Sequence, residues 1–318
     1  MNVQSARTDT GMKKGQKREG KKQNMETFQI YSLLLPVLIL IFIFCYIPLC
    51  GIIIAFQDYT PGSAFIGESV KWVGLKHFET FVTGEFFGRL VQNTLTLSGL
   101  NLLFGFTVPI FFALLLDQVR ANKLKKLIQT SSYMPYFIST VVVAGMAISF
   151  IDTNGIVTNF LTLFGLPAKN YRVEPGAFSV VYTITNVWKN FGFGSILYFS
   201  TISSIDPGLY ESAKLDGANR FRQALHITLP AIQNIVAINL IMAIGGILNT
   251  NSELILLLYT QATYEVADVI GTYTYRLGIL GGQYSLTTAA GLFMSVIGFT
   301  LTFIANRISN KLTGYGLW

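Results

Sequence analysis

Six long apolar runs follow one another along the chain, separated by segments that hold most of its charged residues. Each run is about as long as the roughly 20 mainly apolar residues that an α-helix needs to cross the hydrocarbon core of a bilayer. The pattern therefore predicts an all-α integral membrane protein with six transmembrane helices. The predicted spans cover about residues 30–56, 91–116, 128–150, 178–201, 227–248 and 288–308.

A cleaved signal peptide is the alternative for the first run. Signal peptides have an apolar core of about 7–15 residues followed by a cleavage site of small residues. The run at 30–56 is longer and has no such site after it, so we expect a retained helix. Pro36 and Pro48 lie within it, which a membrane helix tolerates when neighbouring groups satisfy the freed carbonyls. Another apolar run, Leu254–Tyr259, is too short to span and predicts an interfacial or re-entrant piece.

Composition supports lipid as the solvent of this chain. Only 12% of its 318 residues are charged and 51% are hydrophobic, whereas a soluble domain carries about a quarter of its residues as charges. No soluble domain fits between the predicted spans. Cys45 and Cys50 both fall in the first span. We expect them to pack as small apolar residues rather than to form a disulfide or to bind a metal.

The first 27 residues are basic, with seven Lys or Arg residues against three Asp or Glu residues. Such a tail can bind nucleic acid. Its place directly before an apolar span favours a cytoplasmic anchor beside anionic lipid, so we expect no nucleic acid partner. The chain is therefore divided into a basic cytoplasmic tail, 1–27, and a transmembrane domain, 28–318.

The remaining charges predict the topology. With the N-terminus inside, the segments between spans that face the cytoplasm are basic, and the outer segments hold most of the acids, as the positive-inside rule requires. Six spans then place both termini in the cytoplasm. The inner basic residues are Arg120, Lys123, Lys125, Lys126, Lys214, Arg220, Arg222, Arg307 and Lys311.

The segment at 205–232, IDPGLYESAKLDGANRFRQALHITLPAI, lies between the fourth and fifth predicted spans, on the cytoplasmic side. Asp206 is a candidate N-cap and Pro207 suits the first position of a helix. Gly217 permits the bend that ends this helix, after which a second short helix leads into the fifth span. Two short helices beside the membrane suit the docking of another protein.

This segment resembles the EAA loop of binding-protein-dependent ABC importer permeases, whose pattern is Glu-Ala-Ala-x3-Gly-x9-Ile-x-Leu-Pro. The matching residues are Glu211, Ala213, Gly217, Ile227, Leu229 and Pro230, at the same spacing. Ser212 stands where the pattern has alanine, which exchanges one small residue for another. Six of seven fixed positions in the expected loop make a far more specific signal than a short motif.

The resemblance extends over about residues 30–318 and leaves out the basic tail. Residues 187–230, including the triplet Asp216-Gly217-Ala218, are similar to the sugar-permease branch of the family. Residues 264–299 and the terminal Gly316-Leu317-Trp318 are similar to its polysaccharide and oligosaccharide type, related to the maltose-type permeases. The resemblance implies a type I ABC importer permease fold that carries oligosaccharides or polysaccharide fragments.

The resemblance also implies that the loop at about 203–230 forms a coupling helix, which sits on a cytoplasmic ATPase dimer. The implied partners are that dimer, a second related permease, an extracellular or periplasmic solute-binding protein and the lipid of a bacterial cell membrane. The chain has no phosphate-binding G-x-x-x-x-G-K-[ST] sequence, so ATP and Mg²⁺ are expected on the ATPase, and the chain itself is expected not to be an enzyme. The implied coupling residues are Glu211, Ser212, Ala213, Asp216, Gly217, Leu229 and Pro230.

Two polar groups are candidates for the substrate path. Trp188, Lys189 and Asn190 lie near the middle of the fourth predicted span, where a charge is expensive and points to function or to a buried pair. Packing of Trp188 and neutralisation of Lys189 by a partner subunit are the alternatives. Asn249, Asn251 and Glu253 end the fifth span, where helix capping and solvation are the alternatives. Asn101, inside the second span, is more typical of contacts between helices.

Two other functions compete with an importer subunit. A self-contained secondary transporter needs coupling-ion carboxylates within its spans and often has inverted repeats, and neither is evident. A membrane enzyme needs a cluster of catalytic polar groups, and none converges in the sequence. The two histidines of the chain, His77 and His226, fall on opposite sides of the predicted membrane, so no metal site is expected.

Overall fold

The computed structural model describes residues 27–67 and 70–318. The basic tail predicted for residues 1–27 lies, except for Thr27, outside the described residues. Apart from an isolated bridge between Gln57 and Trp72, the described part of the chain contains no β-structure. The prediction of an all-α protein is therefore confirmed.

Fourteen helical segments of the described chain are numbered α1 to α14; a 3-10 turn at Tyr171–Val173 and a π-helical segment at Tyr275–Leu280, which continues α13, are not numbered. In order, α1 to α14 are Thr27–Phe56, Lys76–Val82, Phe87–Asp117, Asn122–Phe137, Thr140–Ile151, Ile156–Thr162, Pro175–Ser203, Pro207–Leu215, Arg220–Ala231, Gln233–Gly245, Ser252–Leu258, Tyr264–Ala267, Ile270–Thr274 and Tyr284–Thr313. We call the end of the bundle that carries α8 the loop end, and the opposite end, where α3, α7 and α14 begin, the far end.

Four described helices are long and apolar enough to cross a membrane by themselves, and the pair α9 and α10, bent by 64°, makes a fifth if it counts as one span. The fourth predicted span, 178–201, corresponds to α7, which has 29 residues and is long enough to cross a membrane. It is less apolar because it carries Asn186, Lys189 and Asn190 on faces turned into the protein. The four helices that are long and apolar enough by themselves are Thr27–Phe56, Phe87–Asp117, Thr140–Thr162 and Tyr284–Thr313.

The third predicted span, 128–150, has wrong boundaries. The chain breaks at Ile138 and Ser139, both in extended conformation, between α4 and α5. Pro135 in the last turn of α4 removes one backbone donor, and Ser139 caps the start of α5 by accepting a hydrogen bond from the Val142 amide at 3.4 Å. The apolar stretch therefore runs from Thr140 through α6 to Thr162 rather than back to residue 128.

Helices α3 and α7 run side by side from the far end to the loop end and form the centre of the bundle. At the loop end they pack through Ile110, Ala113, Tyr198 and Ile202, which bury Ile232 of the α9–α10 bend. Small residues allow other close crossings. Gly192 of α7 lies against the Ser132 carbonyl of α4, and a methyl group built on Gly298 of α14 would lie 2.7 Å from the Gly245 carbonyl of α10.

The first helix is partnered along part of its length only. Its last turns, Cys50–Phe56, pack against α14, whereas its residues from Thr27 to Cys50 are exposed. Cys45 and Cys50 are free and exposed rather than packed within this chain. The first four-fifths of α1 therefore offer an apolar surface to lipid or to another subunit.

The contact at Gly192 gives a test of this packing. Gly192→Ala places a methyl group on the backbone of Ser132, so α4 and α7 must separate, and we expect a loss of about 1–3 kcal/mol. Gly99→Ala is the matched control, because nothing lies within 4 Å of a methyl group at that site. Thermal unfolding of the purified protein in detergent measures both. Equal unfolding midpoints for the two variants would contradict the described packing.

Candidate coupling loop and translocation cavity

Local sequence fixes both ends of α8. The Asp206 side chain accepts a hydrogen bond from the Gly208 amide at 2.9 Å and caps the helix, with Pro207 in its first turn, as predicted. Gly217 follows the last turn with φ +77°, in the left-handed region. The Ala218 amide donates to the Ala213 carbonyl at 2.9 Å and the Gly217 amide to the Lys214 carbonyl at 3.1 Å. These two bonds form a Schellman motif, which glycine favours.

Side-chain hydrogen bonds hold α8 against the rest of the loop end. The Tyr210 hydroxyl lies 2.9 Å from the Thr228 hydroxyl of α9, and the Gln223 amide donates to the Ala218 carbonyl at 2.8 Å. Arg220 donates to the Gln118 carbonyl, just after α3, at 3.3 Å. Because these contacts cross between α8, α9 and the end of α3, the loop is attached to the bundle on one side.

The other side of α8 is exposed. Glu211, Ser212 and Asp216 are exposed, and the Glu211 side chain has no hydrogen bond or ion pair with any other described residue. Leu215 is 90% exposed and Phe221, at the start of α9, is 75% exposed. An acid beside exposed apolar side chains is typical of a surface that binds another protein. Tyr210 and Ala213 are half-buried instead, so they contribute less to this surface than the sequence suggests.

The loop continues directly into the bundle through α9. Leu229 and Pro230 are at the exposed end of α9, and the next residue but one, Ile232, is fully buried at the 64° bend before α10. The bend places a buried anchor between the exposed loop and a helix that reaches the middle of the bundle. A displacement of α8 therefore has a short mechanical path to α10.

A cavity of about 400 Å³ lies between α3, α7 and α10, including the segment that follows α10. Its volume falls in the usual range for small-molecule sites. None of its lining residues is charged. The polar side chains of the lining are Ser98, Asn101, Tyr182, Asn186, Asn190, Tyr198, Asn239, Asn249 and Thr250.

Asn186 joins the walls of this cavity. Its amide nitrogen donates to the Asn101 side chain of α3 at 2.7 Å, and its oxygen accepts a bond from the Asn251 side chain at 3.1 Å. Asn190, one turn further along α7, donates to the Asn186 carbonyl at 2.7 Å. The Asn251 amide in turn donates to the Tyr182 hydroxyl at 3.1 Å. The network therefore connects α3, α7 and the segment after α10 at one level.

Several polar groups of the cavity lining have no hydrogen-bond partner among the described residues. The buried hydroxyl oxygens of Ser98 and Thr250 have no hydrogen-bond partner. The exposed Asn249 side chain makes no hydrogen bond with another described residue. Amides and hydroxyls both donate and accept, and so do the hydroxyls of sugars. An uncharged lining of this kind suits a hydroxyl-rich ligand.

The structure separates the predicted path residues into two groups. Asn190 and Asn249 line the cavity, and Asn251 bonds to its wall. Trp188 lies outside it and lines a separate apolar pocket of about 500 Å³ between α5, α6 and α7. Glu253 is exposed in the first turn of α11.

Lys189 also lies outside the cavity. Its side chain is buried and its ammonium group donates to the carbonyls of Tyr136 and Ile138, where α4 ends. The buried charge is thus hydrogen-bonded within this chain, at the break between α4 and α5. Carbonyls left free at the end of a helix suit such a cation.

Sequence reasoning missed Asn186 and assigned Asn101 to contacts between helices. The Asn101 interpretation is compatible with its bond to Asn186, but both residues also line the cavity. The spacing of Asn186 and Asn190, four residues apart, was the available signal, because it places both amides on one face of a helix.

Comparisons with known proteins agree with this arrangement. The model of the family described as binding-protein-dependent transport system inner membrane component matches residues 105–314. The polygalacturonan/rhamnogalacturonan transport system permease protein YteP of Bacillus subtilis is 39% identical over 290 residues, covering 91% of this chain and 90% of YteP. Protein LplB of the same organism is also 39% identical, covering 91% of each chain.

Two solved structures have the same fold. A chain of a bacterial alginate ABC transporter, in complex with an alginate pentasaccharide-bound periplasmic protein, superposes with a TM-score of 0.83 and 41% identity. A chain of a bacterial ABC transporter involved in the import of the acidic polysaccharide alginate gives 0.81 and 42%. Each covers 93% of this chain and 99% of the other.

These findings confirm the resemblance found in the sequence, including its sugar-permease branch and the type I importer fold. The matched region contains α8, α9 and α10, and the alignments cover the helices that line the cavity. The chain is an integral membrane permease, a transport component. It belongs to the family of inner membrane components of binding-protein-dependent transport systems.

Proposed function

We propose that this chain is one permease subunit of an ATP-driven importer of acidic oligosaccharides or polysaccharide fragments. The observation that carries the proposal is that the exposed helix α8 connects, through α9, to a helix that lines an uncharged polar cavity. Support for acidic sugars comes from the relatives, whose names state polygalacturonan, rhamnogalacturonan and alginate. The free amides and hydroxyls of the cavity suit the hydroxyl groups of such a ligand.

In this proposal the loop end faces the cytoplasm of a bacterium. The segments at the loop end, 118–121, 204–219 and 314–318 with the helix turns beside them, carry the basic residues that the positive-inside rule places on that side. Both chain termini are then cytoplasmic, and the far end faces the binding protein. The basic tail before Thr27 lies beside the anionic inner leaflet.

An ATPase dimer, which holds ATP and Mg²⁺, binds α8 in this proposal. Glu211 offers a carboxylate to a basic partner, and Ser212 is small enough to permit close approach. Leu215 supplies apolar area at the tip of the helix. Closure of the ATPase displaces α8, and Ile232 transmits the movement to α10, so that the cavity opens alternately to each side.

A second, related permease completes the path. The cavity of this chain is lined by three helical regions only, α3, α7 and α10 with the segment after it. The exposed apolar part of α1 offers a large surface on which another membrane subunit packs. A solute-binding protein at the far end delivers the sugar, and the family description, which names binding-protein-dependent transport systems, supports such a partner.

Reversal of the charge on α8 tests the coupling. Glu211→Lys places a cation where a carboxylate is expected to meet a basic partner, and we expect at least a tenfold fall in ATP-driven uptake with less ATPase retained on purification. Glu79→Lys is the control, since Glu79 is equally exposed on a helix at the far end. Unchanged uptake and unchanged ATPase retention in Glu211→Lys would contradict the assigned role of α8.

Removal of the central amide tests the cavity. Asn186→Ala leaves the Asn101 and Asn251 side chains without their partner, so we expect a loss of about 1–2 kcal/mol in stability and a clear fall in uptake. Asn239→Ala is the control, because the Asn239 side chain lines the cavity but bonds only to the Ile235 carbonyl of its own helix. Thermal unfolding and uptake by proteoliposomes measure the two effects. If Asn239→Ala were the more damaging change, the network would not organise the cavity.

A further inference from the structure

A second polar cluster lies at the far end, outside the cavity. The Asp268 carboxylate, only 1% exposed, accepts two bonds from the Arg276 guanidinium, at 3.1 and 2.9 Å. The Thr272 hydroxyl donates to the same carboxylate at 2.7 Å. Asp268 is thus fully paired, and these bonds hold the segment from α12 to the π-helical segment after α13 in one conformation.

A second guanidinium belongs to this cluster without sharing in its bonds. The nearest atom of Arg89 lies 4.0 Å from Asp268, which is too long for a hydrogen bond. Arg89 makes no hydrogen bond to another described residue, and its buried Nε atom has no partner. About 30% of its side chain is exposed. The side chain thus has unpaired donors and reaches the surface, so its guanidinium, apart from the buried Nε atom, is available to a ligand there.

The cluster carries an excess positive charge. Two guanidinium groups share one carboxylate, and no other described acid comes within 4.0 Å of either of them. Both lie against the Tyr264 ring, with Arg276 at 5.0 Å and Arg89 at 5.5 Å from its centroid, and Arg89 also lies 4.9 Å from the Phe86 ring. The aromatic rings position the two like charges side by side, an arrangement that an anion would stabilise.

The position of the cluster relates it to the cavity. Asn93, one turn from Arg89 on α3, donates to the carbonyls of Glu265 and Asp268 at 2.7 and 2.9 Å. One turn further, Leu97 is fully buried in an apolar cluster with residues of α11. Asn101 of the cavity wall follows after another turn, about 18 Å along the axis from Arg89. The guanidinium pair thus lies on the far-end side of an apolar closure.

We propose that Arg89 and Arg276 form a carboxylate-binding site at the far end, which receives an acidic sugar unit before the closure above the cavity opens. The inference rests on the proposed function, because it takes the acidic sugar as the substrate. A planar guanidinium matches a carboxylate through two parallel hydrogen bonds, and Arg89 has its donors free to form them. Arg276 fixes the site and adds charge, while Arg89 binds the ligand.

The test uses the complete transporter, with its binding protein, reconstituted in proteoliposomes and nanodiscs. The probe is tetragalacturonate, and the variants are Arg89→Gln, Arg89→Lys and, as the matched control, Lys169→Gln. Lys169 is also a far-end cation, but it is paired with Glu174 at 2.6 Å. Two quantities are measured: uptake of the probe below half-saturation, and the affinity of the sugar-free binding protein for the transporter.

We expect Arg89→Gln to lower uptake about tenfold, the effect of losing a charged hydrogen-bonded contact, and to leave the affinity of the sugar-free binding protein unchanged. Arg89→Lys should retain more uptake than Arg89→Gln, and Lys169→Gln should retain all of it. Added salt should weaken wild-type uptake more than uptake by Arg89→Gln.

Two results would overturn the proposed carboxylate-binding site and leave the proposed transport function standing. Wild-type uptake by Arg89→Gln would show that the cluster only fixes the fold, and an equal loss of binding-protein affinity would show that Arg89 contacts that protein instead of the sugar. Failure of the wild-type transporter to import tetragalacturonate while it imports a neutral oligosaccharide would overturn the proposed acidic substrate and the site with it.

Discussion

The side-chain amide of Asn186 is the contact on which the centre of this bundle depends. Lipid offers no hydrogen bonds, so each amide within the membrane must find its partner inside the protein. Asn186 bonds to Asn101 and Asn251 and thereby connects α3, α7 and the segment after α10. The same bonds keep a polar cavity between these helices instead of an apolar seam. Cavity and helix packing are therefore two consequences of one network.

Helix α8 is linked to this network through a short, well-defined path. Its ends are fixed locally, by Asp206 at the start and by the left-handed Gly217 at the end, so it can act as a rigid piece. Tyr210 and Arg220 attach it to α9 and to the end of α3. Beyond α9, the buried Ile232 marks the bend into α10, which lines the cavity. In the proposed mechanism, a movement at the loop end reaches the cavity along this path.

Features set by local sequence were predictable, and features set by contacts between distant segments were not. The apolar runs at 91–116 and 288–308 and the capping of α8 by Asp206 follow from chemistry within a few residues, and the structure has them. The break at Ile138 has local signals, Pro135 and the Ser139 cap, but the hydrogen bond that Lys189 of α7 donates to the Ile138 carbonyl joins segments about fifty residues apart and was missed. Asn186 was missed for the same reason, since its partners lie on other helices. The sequence identified Lys189 as a charge within a span, and the structure shows that its ammonium group binds the carbonyls at the end of α4.

Affinity purification of this chain from its native membrane in mild detergent, with mass spectrometry of the proteins that stay bound, tests the central claim most directly. The claim is that α8 couples the cavity to an ATPase on another chain. It predicts recovery of an ATP-binding-cassette ATPase together with a second permease, and loss of the ATPase when residues 212–217 are deleted. Recovery of the chain alone under several solubilisation conditions would contradict the claim and would favour a self-contained transporter.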